Sequence, residues 1–185
     1  CRKMREDSTK AATKEMACYP YKFTEIRYED TECLVVPRVS SERRKYIPMS
    51  YMPTGTVVDG SSQTIYNVTP FTFGIVTSLM HMVWVKTVGS RLKTDYRYSA
   101  QLCYNTFPFP KISDEKKQEI EDAAENVLIT REYYPEKTLA ELYDPDKMPQ
   151  DLREAHANLD DIVESCYPGY PFASDEARLE CLFKL

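Results

Sequence analysis

His81, the first of the two histidines, carries an imidazole that could act as a general base. It stands in FTFGIVTSLMHMVWVKTV between Met80 and Met82, with Trp84 close behind. A base works only when the proton it takes lies within hydrogen-bond reach, and no Ser or Cys is tied to His81 by a recognisable nucleophile spacing. A lone His in such surroundings reads as a hydrogen-bonded core or surface residue. His156, near Glu154 and Asp160 on a predicted helix, reads as solvated. Asp144-Pro145-Asp146-Lys147 holds the carboxylates and lysine that a metal-dependent nuclease needs, but at a generic spacing, and acidic loops of this kind usually cap helices. The six cysteines form no CxxC pair and lie far from both histidines, so no metal site is expected. The five glycines form no GxGxxG or P-loop arrangement. No catalytic, cofactor-binding or metal-binding residue is assigned.

Basic and aromatic residues interleave at two places. One is Arg38-Val39-Ser40-Ser41-Glu42-Arg43-Arg44-Lys45-Tyr46; the other is Arg91-Leu92-Lys93-Thr94-Asp95-Tyr96-Arg97-Tyr98-Ser99. Arg and Lys neutralise phosphates, hydroxyls of Ser and Tyr hydrogen-bond to them, and Arg can grip a guanine edge with two bonds. Solvated charged loops would look the same on spacing alone. The net charge of −5 conceals a division: residues 1–111 hold 16 Lys and Arg against 10 Asp and Glu, whereas residues 112–185 hold 8 against 19. A basic half can face a polyanion and an acidic half cannot. Phe107-Pro108-Phe109-Pro110 marks the same boundary. Tyr is frequent, with 14 copies, which suits either a binding surface or the edge of a core.

The elements that must carry these segments differ between the halves. In the first, Cys33–Val39, Lys45–Met52 and Gln63–Thr69 read as strands, with Gly55 and Asp59-Gly60 as turns. Phe71, Ile75, Leu79, Met82 and Val83 predict one helix over 71–88, closed by Gly89 as C-cap. Tyr96–Tyr104 reads as extended. In the second half Ser113 is a predicted N-cap with Asp114 and Glu115 in the first turn. Thr138 and Glu141 form a capping-box pattern. Leu152, Ala155, Leu159, Ile162, Val163 and Cys166 mark an amphipathic helix, and Ser174 caps the last one. No apolar run reaches the length of a membrane span, and reduced thiols in a cytoplasmic protein are the expected state of the cysteines.

Residues 38–52 and, still more closely, residues 74–110 resemble the MmeI-like restriction–modification enzymes. The pattern of Ser78, His81, Trp84, Arg91, Asp95, Tyr98, Ser99, Tyr104, Asn105, Phe107, Pro108 and Pro110 carries that resemblance. Residues 124–167, with Leu142-Tyr143-Asp144-Pro145 and Met148-Pro149, are similar to the family's C-terminal helical segment, and Asp175–Leu185 to its closing helix. The resemblance implies an α+β fold: a mixed or antiparallel β target-recognition domain with a central helix over residues 1–111, incomplete at its N-terminus, followed by an all-α segment over 112–185. It implies an adenine-specific methyltransferase, possessing S-adenosylmethionine chemistry in an N-terminal domain of the same bacterial, cytoplasmic polypeptide. The adenine would be flipped out of the duplex. The motifs of that chemistry, an Asn- or Asp-Pro-Pro-aromatic turn and a glycine-bearing loop, are absent here. This portion would bind double-stranded DNA and no membrane, with no cofactor of its own. Its DNA contacts are expected from Arg38, Ser40, Ser41, Arg43, Arg44, Lys45, Tyr46, Ser78, His81, Lys86, Arg91, Lys93, Tyr96, Arg97, Tyr98 and Ser99. Base reading is expected near Ser78–Met82 and in the 38–46 loop. Ser78-Leu79-Met80 departs from the Ser-Arg-Met expected there, which puts a contact at Leu79 in doubt. The alternative is a protein-interaction module whose basic half docks an acidic partner.

Overall fold

The computed structural model describes residues 1–23 and 25–185. Cys1–Asp30 and Thr31–Leu185 form two separate compact units. In the first, α1 (Arg2–Glu6) and α2 (Ala11–Glu15) lead into a short 3-10 turn over Met16–Cys18. The Arg5 guanidinium donates to the carbonyls of Met16, Tyr19 and Lys22 at 2.8, 2.7 and 2.6 Å, so one side chain organises the turn.

The second unit runs through β1 (Cys33–Pro37), β2 (Val39–Ser40), β3 (Ser50–Met52), β4 (Ser62–Tyr66), α3 (Pro70–Val76), α4 (Leu79–Val88), β5 (Ser90–Leu92) and β6 (Asp95–Arg97). A π-helical turn over Ala100–Tyr104 precedes α5 (Asp114–Glu132), α6 (Leu139–Leu142), α7 (Gln150–Glu164) and α8 (Asp175–Leu182). Two three-stranded sheets result, both antiparallel, in the orders β3-β1-β4 and β2-β6-β5. The expected α+β class, with a helical second half, is the fold observed. The predicted strand over 45–52 shortens to β3, because Tyr46, Ile47 and Met49 turn into the core instead of pairing. The extended reading of 96–104 holds only through β6.

The expected single helix over 71–88 is two helices that meet at 57°. The break lies at Thr77-Ser78, where polar side chains replace the helical ladder. The Thr77 hydroxyl donates to the Phe73 carbonyl, and the Ser78 hydroxyl donates to Ile75 while its oxygen accepts from the His81 N–H, capping α4. Neither helix is long and apolar enough to cross a membrane alone. Gly89 does close α4, but at φ −69° rather than in a left-handed cap. Its requirement is space, since a Cβ there would run into the Val85 carbonyl oxygen.

The core lies where α5 packs against both α3 and α7. A Cβ at Gly74 would come within 2.8 Å of Ile120 Cγ2 and 3.3 Å of Leu159 Cδ1, so the missing side chain sets how closely these helices approach. Phe73, Ile75, Ile120, Ala124, Val127, Leu152, Leu159 and Val163 fill the space between them. The caps read from sequence at Ser113, Thr138 and Ser174 are all formed, the second as a full capping box.

Candidate nucleic-acid interface

The second sheet places β6 between β2 and β5, with Val39 opposite Arg97, Ser40 opposite Tyr96, Ser90 opposite Arg97 and Leu92 opposite Asp95. Directly paired residues share a face, and successive residues alternate faces. One face therefore carries Tyr96, which is buried, and Ser40, whose hydroxyl is enclosed without a hydrogen-bond partner among the described residues. The opposite face carries Val39, Ser90, Leu92, Asp95 and Arg97, all exposed except the half-buried Asp95. Arg97 stands exposed on the central strand between Val39 and Ser90.

The hairpin and the start of β2 carry the remaining cations. β5 and β6 are joined by Lys93-Thr94, and Lys93 takes φ 58°, the left-handed region that glycine or asparagine ordinarily supplies. Its side chain stands exposed at the tip. Arg91 lies over the Tyr96 ring at 4.4 Å, donates to the Thr94 carbonyl at 2.9 Å and approaches Glu42 at 3.8 Å. Arg38 is exposed beside the start of β2. Among the described residues no hydrogen bond or ion pair engages the side chains of Arg38, Lys93 or Arg97.

The other expected contact residues lie in different surroundings. Arg43 pairs with Asp146 at 2.7 Å, Arg44 donates to the Ala140 carbonyl at 3.2 Å and Lys45 approaches Asp160 at 3.8 Å. Lys86 is half-buried and pairs with Asp175 at 3.4 Å. These cations hold acidic side chains or carbonyls of the helical half. Ser40, Tyr46, Ser78, His81, Tyr96 and Tyr98 are buried, so their side chains support the surface instead of forming it. Ser41 accepts from the Arg43 N–H, and half-buried Ser99 donates its N–H to the Cys103 sulfur. The N-terminus of α4, expected to read bases, is closed by a carboxylate from α7: Asp160 accepts from the Leu79 N–H at 2.6 Å.

Two buried polar clusters frame the site. In one, His81 Nε2 meets the Tyr98 hydroxyl at 3.0 Å and the ring packs edge-on to Phe107. Burial holds its imidazole down at about 3, well below the usual range, so it stays neutral. In the other, the Tyr46 hydroxyl donates to Asp160 at 2.6 Å, and the Tyr46 ring stacks on His156 at 4.1 Å. His156 Nε2 meets the Tyr143 hydroxyl at 2.7 Å. Arg131 reaches that same hydroxyl and donates to the Met49 carbonyl at 2.9 Å. Far from being solvated, His156 is fully enclosed and kept neutral by burial, with Arg131 and Lys45 adding to that effect. Burial pushes the Asp160 carboxyl up to about 6, against the pull of Tyr46, the Leu79 N–H and Lys45.

Residues 1–111 match the family model described as the MmeI target recognition domain, and residues 112–185 match the MmeI C-terminal domain. The chain belongs to the MmeI target recognition domain family. It is 49% identical over 181 residues to DNA methyltransferase A of Bacillus subtilis (strain 168), covering 98% of this chain and 20% of that protein. It is also similar to the solved type IIL restriction–modification enzyme MmeI in complex with DNA, with a TM-score of 0.89 and 38% identity over 99% of this chain and 24% of the other. The chain thus spans about a fifth to a quarter of the length of these relatives. Within the MmeI family frame, the residues that sequence reasoning missed are the acidic ones. Glu42, Asp146 and Asp160 organise the basic loop, and nothing local marks them, because Asp146 and Asp160 lie 103 and 114 positions from the residues they hold.

Proposed function

We propose that this chain is the sequence-recognition portion of a site-specific adenine-N6 DNA methyltransferase of a bacterial restriction–modification system. It binds double-stranded DNA and positions it for an S-adenosylmethionine-dependent domain of the same polypeptide, in the cytoplasm. The observation that carries this reading is the outward sheet face with Arg97, together with Arg38 beside β2 and Lys93 at the hairpin tip, both exposed and uncommitted among the described residues. A cation held by its own carboxylate must exchange partners before it meets a phosphate; an uncommitted one need not. Membership of the MmeI family supports the reading, as does the DNA in the solved relative.

Affinity for duplex DNA, measured on the intact polypeptide across a salt series, tests it. Binding that weakens linearly on a log–log plot, with a shallower slope after Arg97→Ala, is the expected result. Affinity that ignores salt and duplex alike would overturn the reading in favour of a protein partner.

A further inference from the structure

The loop 41–46 is tied to the recognition sheet at its start and to the helical half at its end. At its start, the Glu42 N–H donates to Asp95 on β6 at 3.4 Å and the Glu42 carboxylate faces Arg91 on β5 at 3.8 Å. At its end, Tyr46 is buried against α7, with its hydroxyl on Asp160 and its ring on His156. Arg43 and Arg44 between them reach Asp146 and the Ala140 carbonyl. Asp160 also caps α4, and α4 continues through Gly89 directly into β5. One carboxylate on α7 therefore restrains two chain segments attached to the second sheet, the loop that leaves β2 and the helix that precedes β5.

We infer that Asp160 and Tyr46 are positioning residues for DNA recognition: they set the register of the β2-β6-β5 face without touching the duplex. Reading a base edge requires donor and acceptor atoms placed to within a few tenths of an ångström, because hydrogen bonds weaken steeply away from their preferred distance and angle. Attraction to the phosphate backbone is long-ranged and tolerates displacement. Loosening the strap should therefore damage specific binding far more than non-specific binding. A general loss of folded protein would lower both in the same proportion. The inference rests on the proposed DNA-recognition function, and its test separates the two.

Duplexes would be selected from a randomised pool with the intact wild-type polypeptide. Affinities of wild type, Tyr46→Phe and Asp160→Asn would then be compared on the selected duplex and on a scrambled duplex of equal length. Both substitutions preserve shape, and Tyr46→Phe removes one hydroxyl only, so it serves where Asp160→Asn fails to fold. The expected result is a fall of roughly tenfold in the ratio of selected to scrambled affinity, with scrambled binding changed less than twofold. An unchanged ratio, or a parallel fall in both affinities, overturns the positioning role. A wild type that enriches no motif at all overturns instead the recognition function on which it stands.

Discussion

Residues 41–46 and residues 90–97 carry a similar mixture of Arg, Lys, Tyr and a single acid, yet the fold uses them in opposite ways. In the first, each cation is taken up by the helical half, and Tyr46 is enclosed. In the second, Lys93 and Arg97 face outward while Tyr96 anchors the strand beneath them. The difference comes from what lies opposite. The 41–46 loop runs beside the acidic helices, where Asp146 and Asp160 are close enough to pair. The hairpin projects where, among the described residues, no carboxylate pairs with Arg97. Composition alone predicts two equivalent DNA-binding loops, whereas the neighbours leave one structural strap and one candidate interface.

Removal of Arg131, beneath the strap, should therefore act on stability, and substitutions on the sheet face on DNA attraction. The largest effect is expected for Arg131→Ala. It opens a cavity beside Phe73, removes the Met49 carbonyl's Arg131 donor and leaves the Tyr143 hydroxyl with His156 alone, which costs about 3 kcal/mol of unfolding free energy, readable as a denaturant midpoint. Arg97→Ala comes next and reverses the pattern. The melting temperature stays at its wild-type value, while duplex affinity falls about tenfold and the salt slope drops by about one.

A pH comparison sharpens the contrast further. His81 and His156 are neutral in the folded chain but take a proton near pH 6.5 when unfolded, so the stability they contribute is present above pH 6.5 and is lost as the pH falls below it. Asp160 has the opposite sign. Its folded carboxyl is raised to about 6 from 3.8, so protonation between those values favours the folded state as the pH falls. Wild-type stability should decline from pH 7 to pH 5, and Asp160→Asn, which lacks the offsetting contribution, should decline more. Equal declines in urea midpoint would contradict the enclosed placement of Asp160. Of smaller size, Lys93→Gly should gain about 1 kcal/mol of stability by relieving the left-handed backbone, while weakening DNA binding.

Much of this architecture is written in local pattern. Ser113, Thr138 and Ser174 announce their helices because an N-cap satisfies backbone donors only two or three residues away. Gly74 and the break at Ser78 are hidden, since the apolar spacing from Phe71 to Val83 continues through both. The strap is hidden for a different reason. Arg43 and Asp146, or Leu79 and Asp160, meet only after the chain has closed a loop of 81 residues or more, and no spacing rule reports such encounters. The candidate cations could be named from sequence, but their availability depended on those partners.

Salt dependence of duplex affinity for Arg97→Ala beside Arg43→Ala, each in the intact polypeptide, bears most directly on the central distinction. The account predicts that the Arg97 variant loses about one unit of log–log slope while the Arg43 variant keeps the wild-type slope. A slope lost at Arg43 and kept at Arg97 would show that the strap, and not the sheet face, meets the DNA.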